Sequence, residues 1–386
     1  MGMAPVELVT TFERLLALRS EWLALEEASG TLLPFQTWEW SVAWWTHFRE
    51  DRASVRDHLR VCVVRGTDDR VLGIAPFLLT ERPAAGPLRL RYLQLMGADN
   101  NVTEVRAMLC RRGSELQCYA ALREFFKTQS NDWDWIVWNG LDHHPSGADE
   151  MPGRDLIGVE KTFAFMLPLP PTWSELKKGL RRNIKESLRK CYNSLERDGL
   201  TVQLETVDCP RAVDRALADF ASLHTERARM RNTQVHPDVF EWPPARAFLG
   251  EVCQLFAQRG VTRIFRLWAG NRVVATRIGF ELGQSLYLYY SGWEPAFGKY
   301  SIMTRLLCEV IKYAIDRGMT SVHLSFGRDV AKTRWSPIEV AYLHGVELSA
   351  RPAARALYLS YAWMNRPPSR DIVRRHMPRV LFRRPS

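Results

Sequence analysis

Apolar and polar positions recur along this chain at two periods, and the changes between them mark out its elements. Steps of three and four residues over Glu7 to Ala28 predict a helix, which Gly30 and Pro34 end. Phe35 to Phe48 carries Trp38, Trp40, Trp44 and Trp45. That density predicts a helix packed into a core, with a ligand-stacking surface as the alternative. Leu59 to Arg65 and Val71 to Leu79 are apolar, β-branched runs joined by Gly66-Thr67-Asp68-Asp69, which reads as a hairpin; a third strand follows at Leu88 to Met96. Ser114 to Thr128 is helical in pattern and Trp133 to Trp138 is a strand. From Leu141 to Gly158 the chain turns polar and rich in Gly, Pro and Asp, which marks a loop or domain connection.

A second series begins with Trp173, Leu176, Leu180, Ile184, Leu188, Tyr192 and Leu195, whose spacing predicts one amphipathic helix over Thr172 to Glu196. A strand at Thr201 to Val207 and helices near Ala212 to Arg229 and Ala245 to Gln258 come next. Strands then follow at Val261 to Ala269, Arg272 to Leu282 and Ser285 to Ser291, a helix at Ser301 to Arg317, and a strand at Ser321 to Phe326. The unit Val64-Arg65-Gly66, Arg70-Val71, Phe77 is matched about 202 positions later by Trp268-Ala269-Gly270, Arg272-Val273, Phe280. A duplicated domain is compatible with that match.

Length and charge sharpen the picture. The chain has 386 residues, 46% hydrophobic and 25% charged, which suits a globular protein of two domains and excludes a disordered or collagen-like chain. No apolar run approaches the ~20 residues of a membrane span, and no signal peptide is readable, so a cytoplasmic protein is expected. Seven scattered cysteines without a CxxC pair imply a reducing compartment and no zinc site; His143-His144 also lacks metal-ligand spacing. The net charge of +10 concentrates in Lys177 to Lys190 and in the nine arginines of Arg351 to Ser386. Such blocks fit tRNA phosphates, an anionic membrane surface, or simply solvated faces; the last reading packs a tail helix on the second domain.

The most informative stretch runs from Tyr287 through Ser291-Gly292, Gly298-Lys299-Tyr300 and Ser301. A strand enters a Gly- and Pro-containing loop, and Ser301 is placed to cap a helix. Free amides at that helix start, with Lys299 nearby, predict an anion site. His224, Arg227 and Arg229 end a helix and are either acceptor-phosphate contacts or ordinary helix C-terminal charge, and His323 reads as a structural histidine within its strand.

In its strand order, and in YLYYSGWEPAFGKYSIMTRLLCEVIKYAIDRGM followed by FGRDVAKTRW, the chain resembles the GNAT acyltransferases of the CelD type from cellulose and exopolysaccharide gene clusters. RRNIKESLRKCYNSLERDG and FASLHTERARMRN fit the same pattern. It is also similar, more distantly, to the FemAB and FemX peptidoglycan aminoacyltransferases. The resemblance spans about residues 10–345 and implies an α/β fold of tandem GNAT-like domains, each a mixed, mainly antiparallel sheet flanked by helices. Its expected divisions are 1–165, a basic connecting helix 166–200, a catalytic domain 201–350 and an Arg-rich tail 351–386.

What the resemblance implies chemically is transfer of an acyl group from acyl-CoA to an amino group of a sugar, saccharide precursor or amino-acid-like acceptor, without a metal. The donor site falls on Ser291, Gly292, Gly298, Lys299, Tyr300 and Ser301. Tyr289 and Tyr290 are candidates to protonate the leaving group, and Asp329 to act as base or to orient the amine. His224, Arg227, Lys332, Arg334 and Trp335 fall on the acceptor side. Two departures from the CelD pattern stand out: Ile302-Met303 follows Ser301 where Pro-Gly is usual, and Ala331 precedes Lys332 where Tyr is usual. They raise two alternatives, an aminoacyl-tRNA donor bound through the basic segments and a non-catalytic subunit of a polysaccharide synthase.

Overall fold

The β-branched runs pair into one sheet because each carries an apolar face that only another layer can cover. The computed structural model describes residues 4–83, 89–99, 101–142, 156–230 and 237–365. In the first half β1 (Val6–Val9) is followed by α1 (Phe12–Ala17), α2 (Arg19–Ala28), α3 (Trp38–Phe48), β2 (Asp51–Arg52), β3 (Val55–Arg65), β4 (Val71–Arg82), β5 (Leu90–Leu95), β6 (Leu109–Cys110), α4 (Glu115–Thr128), β7 (Trp135–Asp142) and β8 (Ile157–Pro168). The second half has α5 (Trp173–Gly179), α6 (Arg182–Arg197), β9 (Val202–Val207), α7 (Pro210–Ala228), α8 (Pro243–Gln258), β10 (Thr262–Ala269), β11 (Arg272–Leu282) and β12 (Ser285–Trp293). It closes with α9 (Ile302–Asp316), β13 (Ser321–Phe326), α10 (Val330–Thr333), β14 (Ile338–Leu348) and α11 (Ala354–Asn365).

The strands form a mostly antiparallel sheet in the order β1-β3-β4-β5-β7-β14-β8-β13-β12-β11-β10-β9, flanked by helices. Its two ends mirror one another. The β3–β4 hairpin corresponds to β10–β11, and both shift register beside the turn, at Val64/Arg65 and at Leu267/Trp268. The two parallel pairings, β5 with β7 and β12 with β13, occupy the same place in each half. The 202-residue repeat legible in the sequence is thus a repeat of structure. At the centre the halves exchange strands. β8 pairs with β13 of the second half, β14 returns to pair with β7 of the first, and β8 and β14 pair with each other.

Several expected elements differ in detail. The first helix is preceded by β1 and begins only at Phe12, where Thr11 caps it. The amphipathic stretch after Thr172 is two helices, because Leu180 leaves helical geometry to bury its side chain and α6 starts after Arg181. Part of the expected polar connection is the start of β8, and β14 has no counterpart in the sequence reading. The tryptophan-rich helix is packed as a core helix: Trp40 and Trp44 are buried, and Trp40 meets Phe248 of α8 edge to face at 5.0 Å. Arg259 ties the halves together, reaching Glu26 of α2 at 2.8 Å and Glu39 of α3 at 2.6 Å. Helix α11 lies beside β14 and packs its aromatic side chains on the first half, with Tyr361 5.2 Å from Trp135 and 5.7 Å from Tyr92. The rest of the arginine-rich tail and His143-His144 lie outside the described residues. Among the described residues no helix is long and apolar enough to cross a membrane.

Candidate functional site

Parallel pairing of β12 with β13 runs only from Ser285/Ser321 to Tyr287/His323. Beyond it the two strands separate, and a cleft of about 390 Å³ opens there, lined by Glu104, His224, Arg227, Tyr290, Phe326 and Gly327 among others.

Three elements bring charge to this gap. From α7, Arg227 Nη1 donates to Ser291 Oγ at 3.1 Å. His224, on the same helix and 3% exposed, sets Nδ1 3.0 Å from the Ser291 carbonyl. A carbonyl only accepts, so Nδ1 carries the proton and Nε2 is left without a hydrogen-bond partner. Burial lowers the imidazole pKa, which keeps the ring neutral near pH 7. From β11 comes Arg277, opposite Ser291 in register. Its Nε is sealed from solvent and without a hydrogen-bond partner, and burial together with Arg227 pushes its pKa down to about 10.

The third element is the turn after β13. Asp329 caps α10, its Oδ1 accepting the Lys332 amide at 3.0 Å. The Lys332 ammonium folds back to the Phe326 carbonyl at 2.5 Å and the Gly327 carbonyl at 3.3 Å, and burial lowers its pKa. Arg334 Nη2 donates to Thr304 Oγ1 of α9 at 2.6 Å, while its Nε is buried and unpartnered. Asp329 lies in the field of Arg227, Arg277, Lys332 and Arg334.

The opposing carboxylate arrives from the first half. Glu104 accepts from Ser325 Oγ at 2.6 Å and from the Tyr287 hydroxyl. Burial raises its pKa against the pull of those hydrogen bonds and of Lys332. Asp99 holds the loop that presents it: Oδ1 accepts the amides of Val102 at 2.7 Å and Thr103 at 2.9 Å, and Oδ2 accepts Trp44 Nε1 at 2.9 Å.

Of the residues singled out in the sequence, Tyr290, His224 and Arg227 line the cleft, Ser291 is held by Arg227 beside it, and Asp329 stands within the field of Arg227, Lys332 and Arg334. Tyr290 donates its hydroxyl to the Asn101 carbonyl at 2.5 Å. Tyr289 points away, buried between Phe35, Trp40 and Phe280, with its hydroxyl on the Val102 carbonyl. Gly292 lets α7 lie on β12, since a Cβ there would come 2.5 Å from the His224 nitrogen. Gly298 is pressed on the Trp293 ring in the same way. Trp335 is 1% exposed in the core of the second half.

Lys299, Tyr300 and Ser301 sit apart, against the end of α6. Lys299 is exposed, 3.8 Å from Asp198, and the Tyr300 hydroxyl donates to the same carboxylate at 2.7 Å. Ser301 occupies the cap position but makes no side-chain cap bond, because its backbone is left-handed, with φ of 53°. Its carbonyl accepts the Thr304 amide and faces Cys191 of α6, while Ile302 is buried. The side-chain cap expected from the sequence is absent, and the start of α9 lies against α6 with Ser301 itself exposed.

Sequence reasoning missed Glu104 and Arg277. Arg277 left a signal, a lone cation amid the apolar run Val273 to Phe280; Glu104 sits in an unpatterned loop and left none. Among the described residues, no three His, Cys, Asp or Glu side chains gather as a metal would need.

Comparison with known proteins bears on this half of the chain. Residues 181–333 match the model of the acetyltransferase (GNAT) domain. The whole fold is similar to FemX, with a TM-score of 0.59 and 10% identity over 92% of this chain and 99% of that one. Lower scores relate it to L-PGS from Bacillus licheniformis (TM-score 0.47, 12% identity, 95% and 99% covered). A tandem GNAT protein from the clavulanic acid biosynthesis pathway scores 0.44, with 11% identity over 90% and 99% of the two chains. No curated protein matches the sequence.

Proposed function

We propose that this chain is an N-acyltransferase that moves an acyl group from acyl-CoA to an amino group of a sugar, saccharide precursor or amino-acid-like acceptor, at the gap between β12 and β13. The observation that carries the reading is Glu104, brought in from the first half, facing Lys332 and Asp329 of the GNAT-like half. The amine nitrogen attacks the thioester carbonyl, the C–N bond forms, and the C–S bond breaks as the tetrahedral intermediate collapses. Glu104 takes the ammonium proton; its raised pKa makes it a stronger base than an exposed carboxylate. The Lys332 ammonium, fixed by two carbonyls and by the Asp329 cap, stabilises the developing oxyanion. Asp329 then acts through Lys332, and Tyr290 remains the hydroxyl near enough to serve the leaving thiolate.

A second reading has its own support. Lys177, Lys178, Arg181, Arg182, Arg189 and Lys190 are exposed on α5, at the start of α6 and along it, and α6 lies on the start of α9. That basic face suits an aminoacyl-tRNA donor, the alternative raised by the resemblance to FemAB.

Calorimetric titration of the full chain with acetyl-CoA, free CoA and bulk tRNA separates the donors. Saturable binding of acetyl-CoA with turnover supports the first reading, and salt-sensitive tRNA binding in its place supports the second. Glu104→Gln is expected to lower kcat by about 10²-fold or more without unfolding the protein. Wild-type turnover in that variant removes Glu104 from the mechanism, and binding of neither donor leaves a non-catalytic subunit.

A further inference from the structure

Arg277 is an unusual occupant of a strand. Its neighbours along β11 are mainly apolar, with Val274, Ala275, Ile278 and Phe280 buried and Thr276 the buried polar exception. Arg277 Nε is buried without a hydrogen-bond partner, beside Arg227 and near Glu104 and Asp329. Arg334 likewise buries an unpartnered Nε on the α9 side of the same gap. Four cations, Arg227, Arg277, Lys332 and Arg334, thus meet two carboxylates, Glu104 and Asp329. Desolvating a guanidinium nitrogen without pairing it, as at Arg277 Nε, is costly, and a fold that only needed to fill this volume would place an apolar side chain there. An oxyanion restores the balance, since two guanidinium groups present planar forks of N–H donors to it.

We propose that Arg277 of β11, which shares Ser291 with Arg227 of α7, forms with Arg227 a subsite for an oxyanion carried by the acceptor, so that the amine accepted by this enzyme bears a phosphate or carboxylate group. The inference rests on the reading of this cleft as the site of acyl transfer. A neutral amino sugar lacks the group that the subsite needs. The subsite lies on the β11 and α7 side of the gap, the side from which His224 and Arg227 line the cleft, and it leaves Glu104 free to receive the amine proton.

Thermal unfolding of the full chain tests this in low-salt buffer, with inorganic phosphate or acetate as the added probe. Wild type is expected to gain about 2 °C or more with one of them. Arg277→Met is expected to gain nothing, and without added anion to melt at or above the wild-type temperature, because a half-buried cation with an unpartnered Nε has been removed. Stabilisation by phosphate assigns a phosphate-bearing acceptor, and stabilisation by acetate alone a carboxylate-bearing one. Equal anion responses in wild type and variant, or none in either, overturn the subsite. So does a lower melting temperature for Arg277→Met in both conditions, if Arg277→Gln behaves alike. Loss of the phosphate response on saturation with free CoA would assign the oxyanion to the donor and overturn the acceptor assignment. Glu104→Gln separates this inference from the reading beneath it: that variant keeps or strengthens the anion response even while turnover is lost.

Discussion

His323 shows how a single side chain ties the pH response of this protein to its packing. It lies in β13, 5% exposed, stacked 5.8 Å from Tyr287, and burial lowers its pKa to about 4. The unfolded chain takes up a proton near pH 6.5, whereas the folded chain resists it until about pH 4. Between those values the unfolded state binds more protons, so stability falls as pH falls. The shift corresponds to on the order of 3 kcal/mol lost by pH 4. His224, lowered in the same direction by burial, adds to the slope. His323→Gln is therefore expected to flatten, not abolish, the decline. Urea unfolding at pH 7 and at pH 4.5 checks this, and identical declines for variant and wild type would contradict it.

At the scale of elements, the tryptophan-rich helix α3 acts on the cleft without touching it. Trp44 Nε1 holds Asp99, Trp40 Nε1 reaches Thr103 Oγ1 at 3.2 Å, and these fix the loop that carries Glu104. Trp44→Phe keeps an aromatic six-membered ring but removes the indole N–H donor to a buried carboxylate and some buried volume with it. A stability loss of about 1–3 kcal/mol is expected. A pH–rate profile should show kcat lowered and its acid limb moved, because Glu104 then sits in altered surroundings; a profile of unchanged shape would make Trp44 purely structural. The sequence made α3 legible as a core helix, because four tryptophans at short spacing have few other uses. Its link to Glu104 was not legible, since that link depends on a loop sixty residues away. The paired hairpins were readable from turn chemistry and alternation. Strand β8 was not, because most of it is exposed and mixes Glu160, Lys161 and Thr162 with apolar residues, and β14 was missed for the same reason along its exposed start. The helix start at Ser301 misled because the same Ser-led pattern arises whether the serine caps with its side chain or turns left-handed and caps with nothing.

At the scale of the whole molecule, the exchange of β8 and β14 binds the two halves into one folding unit. Two tandem domains with private sheets would unfold separately wherever their interface is small. Here β7 has its second neighbour in β14, formed 200 residues later, and β13 has its neighbour in β8, formed 150 residues earlier. Leu343 of β14 also sits in the core of the first half with Trp138 and Leu141, and one apolar cluster takes in Trp40, Trp44 and Phe248 from both halves. Neither sheet half is closed without the other. Scanning calorimetry of the full chain is accordingly expected to show one cooperative transition, and two resolved transitions would show that the exchange contributes little. The corresponding fragment experiment has the same sense. Residues 1–156 expressed alone leave β7 as a long, apolar, unpaired edge, the kind of surface that recruits other chains, so the fragment is expected to aggregate. Co-expression with residues 157–386 supplies β14 and β8 together and is expected to restore a soluble complex; a soluble, monomeric fragment 1–156 would mean that the first half closes its sheet unaided.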